Sequence, residues 1–201
     1  MSNSERAKPS KASSKSVKAT DARIRRTHER LGLALIELIL DNPIDTVTVQ
    51  DVLDRAGVGR STFYLHYRDK DDLLWTQLEQ FFEIMSNLLD SKKEVSRRVL
   101  PVREMLEHVG IENKIYRALA DSGRLHDFFD LAQQYFARSI EKRLSGYRKL
   151  LNISGDELTA RANALAGSYL ALMRWWIDSK GKLPPQAVDD LFHGMVWKGL
   201  E

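Results

Sequence analysis

The residues between positions 60 and 66 carry an unusual density of hydrogen-bonding side chains. Those side chains belong to Arg60, Ser61, Thr62, Tyr64 and His66. An arginine fork matches the edge of a guanine, hydroxyl groups can donate to bases or phosphates, and tyrosine and histidine suit phosphate oxygens. Chemistry of this kind is recognition of bases and phosphates, and it breaks no bond.

The elements around this segment predict a helix-turn-helix. Thr48 can cap a short helix, and Asp51 stands three residues later, as in a capping box. Gly57 can end that helix, because glycine readily adopts the positive φ that a sharp turn needs. A very short helix is then predicted at about 60–66, with Phe63 and Tyr67 pointing inward. In this motif the second helix of the pair enters the major groove.

The segment VTVQDVLDRAGVGRSTFYLHYRDKDDLL, at positions 47–74, resembles the signature of TetR-family transcriptional regulators. The resemblance is dense over about residues 24–75 and elsewhere concerns only the layout of helices. It implies an all-α fold, in which an N-terminal three-helix helix-turn-helix domain is followed by a six-helix C-terminal domain. Gly59 departs from the pattern, because the family commonly has serine or threonine there as a helix cap.

The resemblance also implies which residues contact DNA. Residues matching Arg60 and Ser61 lie against bases in the family. Those holding the DNA backbone match Thr48, Thr62, Tyr64, His66 and Lys70. Lys70 is also expected beside the free amides of a helix start, where an anion is favoured. For Tyr64 and His66, a structural place in the core is the alternative.

Basic charge is concentrated at the start of the chain. Residues 1–30 hold nine lysines and arginines against three acidic residues, whereas the remaining residues carry a balance of −3. Arg23, Arg25 and Arg26 are therefore predicted to reach the DNA backbone or a minor groove, the alternative being simple solvation. The predicted domains are a disordered basic tail over 1–19, a DNA-binding domain over 20–68 and a dimerisation and effector domain over 69–201.

Other functional classes lack support in the sequence. The chain contains no cysteine and no apolar stretch long enough for a membrane, and its polar start is no secretory signal. Its five histidines are far apart, so no metal or other cofactor is expected. Without a catalytic motif, we expect no enzyme. A cytoplasmic, nucleoid-associated protein with no membrane partner is the expectation.

Two C-terminal helices, beginning near Ser154 and Pro184, are predicted to form a homodimer. The stretch ARANALAGSYLALMRWW, at positions 160–176, is rich in small residues and then in aromatic ones, which permits close packing. The predicted dimer residues are Leu165, Tyr169, Leu172, Trp176, Leu191, Phe192 and Met195. The alternative is that this stripe is intramolecular core.

A small-molecule effector that releases DNA is implied by the resemblance alone. The candidate pocket residues are Phe82, Met85, Met105, His108, Tyr116, Phe128, Tyr135 and Met173. Methionine and aromatic residues at helical spacing also fit an ordinary core. The functional hypothesis is a homodimeric repressor of a pseudo-palindromic operator in double-stranded DNA. The alternative is a chromosome-organising protein with the same fold and no effector.

Overall fold

The computed structural model describes residues 11–91, 96–110 and 113–198, and these ranges contain helices and no strand. The helices are α1 (Lys11–Asp41), α2 (Val49–Ala56), α3 (Arg60–Tyr64), α4 (Lys70–Ser86), α5 (Leu88–Ser91), α6 (Val102–Val109), α7 (Lys114–Asp121), α8 (Leu125–Ser145), α9 (Arg148–Leu151), α10 (Gly155–Asp178) and α11 (Pro185–Lys198), with a 3-10 turn at Ile44–Thr46. The all-α prediction is confirmed. None of the described helices combines the length and the hydropathy that crossing a bilayer requires.

Several helix limits differ from those predicted. Helix α1 begins at Lys11, so the predicted disorder over 1–19 is wrong from that residue onward, and residues 1–10 lie outside the described range. Lysine and alanine favour helix intrinsically, even where no apolar period marks the sequence. Helix α8 ends at Ser145 and is followed after a short turn by the one-turn helix α9, and the one-turn helix α5 follows α4.

The chain divides into two compact units. Unit 1 comprises Met1–Asn42 and Thr46–Leu74, and unit 2 comprises Pro43–Asp45 and Trp75–Glu201. The division falls inside α4, a few residues after the predicted domain boundary at 68/69. Unit 1 therefore contains the whole predicted helix-turn-helix together with the first turn of α4.

Unit 1 is built on the apolar face of α1. Leu31 and Leu35 are fully buried on that helix, and α2 packs against it. Phe63 and Tyr67 also lie inside the core, with ring centroids 5.6 Å apart. Because α3 is so short, these two aromatic anchors fix its orientation and leave the intervening side chains on the surface.

Unit 2 has a core of packed aromatic rings between its helices. Helix α8 packs against α10, and α6 packs against α11. The ring of Phe136 on α8 contacts Phe82 on α4 and Tyr169 on α10, and Tyr169 contacts Phe192 on α11. Edge-to-face pairs of this kind add to the energy of apolar burial. The resulting ladder of rings joins four helices.

Unit 2 also contains a nearly buried network of ion pairs. Nη2 of Arg98 donates to Glu104 Oε2 at 2.5 Å and to Asp189 Oδ1 at 2.7 Å. The backbone N–H of Arg103 donates to the same Asp189 oxygen at 3.0 Å, and His193 Nδ1 lies 3.2 Å from the other. The network joins the segment before α6 to α11, which is distant in sequence.

Candidate DNA interface

Helix α2 begins with a complete capping box. The Thr48 hydroxyl accepts from the Asp51 backbone N–H at 3.2 Å, and the Thr48 backbone N–H donates to Asp51 Oδ2 at 2.8 Å. The bonds from Thr48 hold the pKa of the Asp51 carboxyl below its ordinary value. Two of the free donors at the helix start are thereby satisfied. The box predicted from the sequence is confirmed, and it fixes where α2 begins.

The turn between α2 and α3 depends on Gly57. This residue has φ 59° and ψ 42°, the left-handed conformation that ends a helix with little strain only for glycine. Nη2 of Arg30, on α1, donates to the carbonyl oxygens of Ala56 and Gly57. Sequence reasoning missed Arg30, because its partners are backbone atoms at the end of another helix. It holds the end of α2 on α1.

Gly57→Ala is expected to lower the free energy of unfolding by about 1–2 kcal/mol, because a side chain in the left-handed region is strained. A Cβ there would also lie 2.8 Å from Arg30 Nη2. Urea unfolding measures the loss. The matched control is Gly59→Ala, since Gly59 has φ −71° and no atom within 4 Å of the added carbon. An equal loss in both variants would contradict the explanation.

Helix α3 presents most of its polar side chains at the surface. Arg60 and Ser61 are exposed, Tyr64 is 52% exposed, and Thr62 and His66 are half-buried. The helix ends at Tyr64, two residues earlier than predicted, because Leu65 forms its C-cap. Gly59 stands at the N-cap without a side-chain bond. The alternative core position for Tyr64 is therefore wrong, and the predicted surface is present.

A contact that sequence reasoning missed joins α2 to α3. Nη2 of Arg60 donates to Oε1 of Gln50 at 2.9 Å, and Nε2 of Gln50 donates to Asp54 Oδ1 at 2.8 Å. Gln50 and Asp54 are four residues apart on α2, so they share a helix edge. That spacing is visible in the sequence, but the approach of Arg60 depends on the turn.

Lys70 stands at the first position of α4, as predicted, but its ammonium group already donates a hydrogen bond within the protein. Nζ donates to the carbonyl oxygen of Val47 at 2.7 Å, just before the cap of α2. Asp69 caps α4 by accepting from the Asp72 backbone N–H at 2.8 Å. Lys70 therefore connects the starts of two helices, and contact with a phosphate would add to that function.

His66 packs against other rings of unit 1. Its ring centroid lies 4.6 Å from that of His28 on α1, and His28 in turn contacts Tyr67. Burial, followed by the charge of His66, lowers the pKa of His28. Burial, followed by the charge of Asp72, raises the pKa of Tyr67. His66 is thus anchored from one side and half-exposed on the other.

The three arginines predicted to reach DNA are exposed on α1. Arg25 forms an i,i+4 ion pair with Glu29, its Nε lying 3.5 Å from Oε1. The carbonyl oxygen of Arg23 accepts from the Thr27 hydroxyl at 3.1 Å. Their positions, and that of Arg26, fit both the DNA-contacting and the solvated interpretation.

The predicted dimer residues separate into two sets. Tyr169, Trp176 and Phe192 are at most 2% exposed within the chain, so their assignment to a dimer surface is wrong. Their rings already fill the core of unit 2. Leu165 and Leu172 are half-buried, whereas Leu191 and Met195 are 45% and 46% exposed. Trp175, 43% exposed, was not predicted for this surface.

The predicted effector residues all lie in unit 2, where several of them take part in ring contacts. Phe82, Phe128 and Tyr135 form one group, with Phe82 centroids 5.3 and 6.1 Å from the other two. His108 is exposed and stacks on Phe81, and Tyr116 contacts Phe129. Met85, Met105 and Met173 are buried. Two open depressions of about 530 and 550 Å³ in unit 2 are lined by other residues.

Histidine, aspartate and glutamate are the candidate metal ligands of this cysteine-free chain. Within residues 11–91, 96–110 and 113–198, no group of three or more histidine, aspartate or glutamate side chains is arranged to hold a metal ion. The His28–His66 ring contact belongs to the core of unit 1.

Comparison with known proteins identifies the same segment. Residues 34–75 match the model of bacterial regulatory proteins of the tetR family. The chain is 32% identical over 85 residues to the uncharacterized HTH-type transcriptional regulator YwcC of Bacillus subtilis strain 168. That match covers 41% of this chain and 38% of the relative, so the chain spans about two fifths of that relative's length.

Solved structures extend the likeness to the remaining helices. The TetR transcriptional regulator of Streptococcus agalactiae 2603V is 25% identical, with a TM-score of 0.59 over 90% of this chain and 98% of that one. RolR in complex with its ligand resorcinol is 17% identical, with a TM-score of 0.59 over 89% of each chain, and shows the shared fold. The capped α2, the Gly57 turn and α3 lie inside the family match, and the helices of unit 2 follow the same fold. Residues 34–75 thus match the tetR family of bacterial regulatory proteins, and the chain shares the fold of a solved TetR transcriptional regulator.

Proposed function

We propose that this chain is a sequence-specific DNA-binding transcriptional regulator that acts as a homodimeric repressor. The observation that carries the proposal is the polar surface of α3, held out by the inward anchors Phe63 and Tyr67. The match of residues 34–75 to the model of the tetR family supports it. The exposed hydrogen-bonding groups on so short a helix match the needs of a recognition helix in the major groove.

The proposed contacts fall into two classes. Arg60 and Ser61, at the start of α3, are the base-reading residues, since the first residues of a recognition helix face base edges. Phosphate contacts, which set the register, are assigned to Thr48, Thr62, Tyr64, His66 and Lys70. The exposed arginines Arg23, Arg25 and Arg26 on α1 supply further positive charge near the backbone.

The homodimer is proposed to form through the outward faces of α10 and α11. Leu191 and Met195 are four residues apart on α11, so they lie on one face, and both are exposed. Trp175 and half-buried Leu172 present further apolar surface on α10. A dimer places two recognition helices about 34–36 Å apart on a pseudo-palindromic operator.

A small-molecule effector completes the proposal. RolR, which shares this fold, binds resorcinol according to its structure. The aromatic group of Phe82, Phe128 and Tyr135 in unit 2 is the proposed place for an aromatic ligand. Such a ligand releases DNA only if it binds the DNA-incompetent state more tightly than the competent one.

Selection of random duplex DNA by the purified chain tests the proposed function, the expected result being a palindromic consensus.

Arg60→Ala should relax base preference, because a bidentate arginine contributes about 1–3 kcal/mol of discrimination. Lys70→Ala should weaken all sequences about equally and reduce the salt slope by about one. Fluorescence anisotropy with several duplexes and at several salt concentrations measures both the base preference and the salt slope. Recovery of no consensus, or unchanged binding in both variants, would reject the proposal.

A further inference from the structure

The amide of Gln50 is fixed at both of its ends within unit 1. Its Nε2 donates to Asp54 Oδ1 at 2.8 Å, and its Oε1 accepts from Arg60 Nη2 at 2.9 Å. A carboxylate can only accept hydrogen bonds, so Asp54 selects the amino end of the amide. The carbonyl end is thereby left facing the guanidinium. Three side chains form a directed chain of hydrogen bonds from α2 to α3.

This chain of bonds acts on the arginine that faces bases in the proposed function. A guanidinium carries five N–H donors in a rigid plane, and the Gln50 bond occupies one of them. Holding Nη2 restricts rotation of the whole planar group, so its remaining donors keep a defined direction. An arginine side chain otherwise loses substantial rotamer freedom when it binds. Arg60 is therefore partly ordered before DNA arrives.

We infer that Gln50 is a positioning residue that sets base specificity by orienting Arg60 toward a guanine. This inference rests on the proposed function. A glutamine can also read adenine directly, using its amide oxygen and nitrogen side by side. In this chain those two atoms are directed to Arg60 and Asp54 instead. The two hydrogen bonds of the Gln50 amide within the protein therefore favour positioning of Arg60 over direct reading of a base by Gln50.

The test uses duplexes derived from the consensus that the full-length wild-type chain selects. The base pair read by Arg60 is defined as the G·C pair whose preference disappears in Arg60→Ala. Discrimination is the ratio of dissociation constants for that duplex and for one with A·T at the same pair. Gln50→Met keeps side-chain length and helix propensity but removes both amide bonds. It should lower discrimination about 3- to 10-fold, because it loosens a bidentate contact without deleting it.

Two further variants separate positioning from general loss. In the Arg60→Ala background, Gln50→Met should leave the preference at every other base pair unchanged, since Gln50 acts only through Arg60. Gln50→Glu should restore part of the discrimination lost in Gln50→Met, because a carboxylate also accepts from Arg60 but cannot donate to Asp54 and is repelled by it. Affinity for every duplex should fall through repulsion of phosphates. The salt slope should not change in Gln50→Met, as no phosphate contact is removed. Relaxation of the Arg60 guanidinium in the free protein should show greater mobility in this variant.

Several results would overturn the inference. Undiminished discrimination in Gln50→Met would remove the positioning role, even if wild type selects a clear consensus. Altered preference at another base pair, persisting in the Arg60→Ala background, would make Gln50 a direct reader. Unchanged preference in Arg60→Ala would mean that Arg60 reads no base. If wild type selects no consensus, the proposed function fails together with the inference.

Discussion

Arg98→Met is expected to lower the free energy of unfolding by about 3–5 kcal/mol at neutral pH, because it removes the cation that two nearly buried carboxylates share. Glu104 keeps its ion pair with Arg103 at 3.0 Å, whereas Asp189 loses its arginine side-chain partner. Nη2 of Arg98 contacts both Glu104 and Asp189. Their side chains are 12% and 4% exposed, so water replaces little of the lost interaction. Urea unfolding at pH 7 measures the difference. Arg98 joins the segment before α6 to α11, which is distant in sequence. Its loss should therefore make the unfolding of α6 and α11 less cooperative.

The pH dependence of that difference has a definite sign. Burial raises the pKa of both Glu104 and Asp189, but hydrogen bonds to their carboxylates outweigh this effect. The bond from Arg98 holds the pKa of Glu104 at about 2, and the bonds from His193 and Arg98 hold that of Asp189 at about 2. Unfolded carboxyls titrate near pH ~4. The stabilisation is therefore complete above about pH 5 and is lost as pH falls through the folded pKa. Wild type and Arg98→Met should converge in stability between about pH 5 and pH 2.

The matched control is Arg55→Met, which removes an ion pair with Glu37 at the surface of unit 1. Both side chains of that pair are nearly half-exposed. An exposed pair contributes at most about 1 kcal/mol, so the control should be close to wild type. If Arg98→Met were no more destabilised than Arg55→Met, the network would not stabilise unit 2.

The features predictable from the sequence are those with local causes. A capping box joins residues three apart, so the types and spacing of Thr48 and Asp51 are enough to mark the start of α2. Gly57 marks the turn for a similar reason, since the positive φ is a property of one residue. The i,i+4 spacing of Phe63 and Tyr67 identifies the inward side of α3. These signals suffice to locate the proposed recognition surface.

The features that sequence reasoning missed depend on contacts between distant segments. Helix α10 is apolar around much of its circumference, so its sequence does not distinguish Tyr169 and Trp176, which are buried, from exposed Trp175. The Arg98 network joins residues that are 91 positions apart. Lys70 fits a phosphate contact in the sequence, but its bond to the Val47 carbonyl depends on how α4 approaches α2. In each case, the packing of distant segments determines which side chains are buried and which partners they contact.

Combined Leu191→Lys and Met195→Lys substitutions are expected to convert the proposed dimer into a monomer. Both side chains lie on the exposed face of α11, where two lysines would place like charges across a two-fold interface. Affinity for a palindromic duplex should fall about 100-fold or more, because the second half-site no longer binds intramolecularly. Light scattering gives the mass, and anisotropy with whole-palindrome and half-site duplexes gives the affinities.

The control for this pair is Ile84→Lys, which charges an apolar side chain of α4 that is 66% exposed. It should leave the mass and the operator affinity unchanged, because it lies on another helix. Binding of the double variant to a half-site duplex should match that of wild type, since α3 is untouched. A double variant that remains dimeric would show that α11 does not form the interface. A monomeric variant with full palindrome affinity would instead show that one copy of α3 suffices for operator binding.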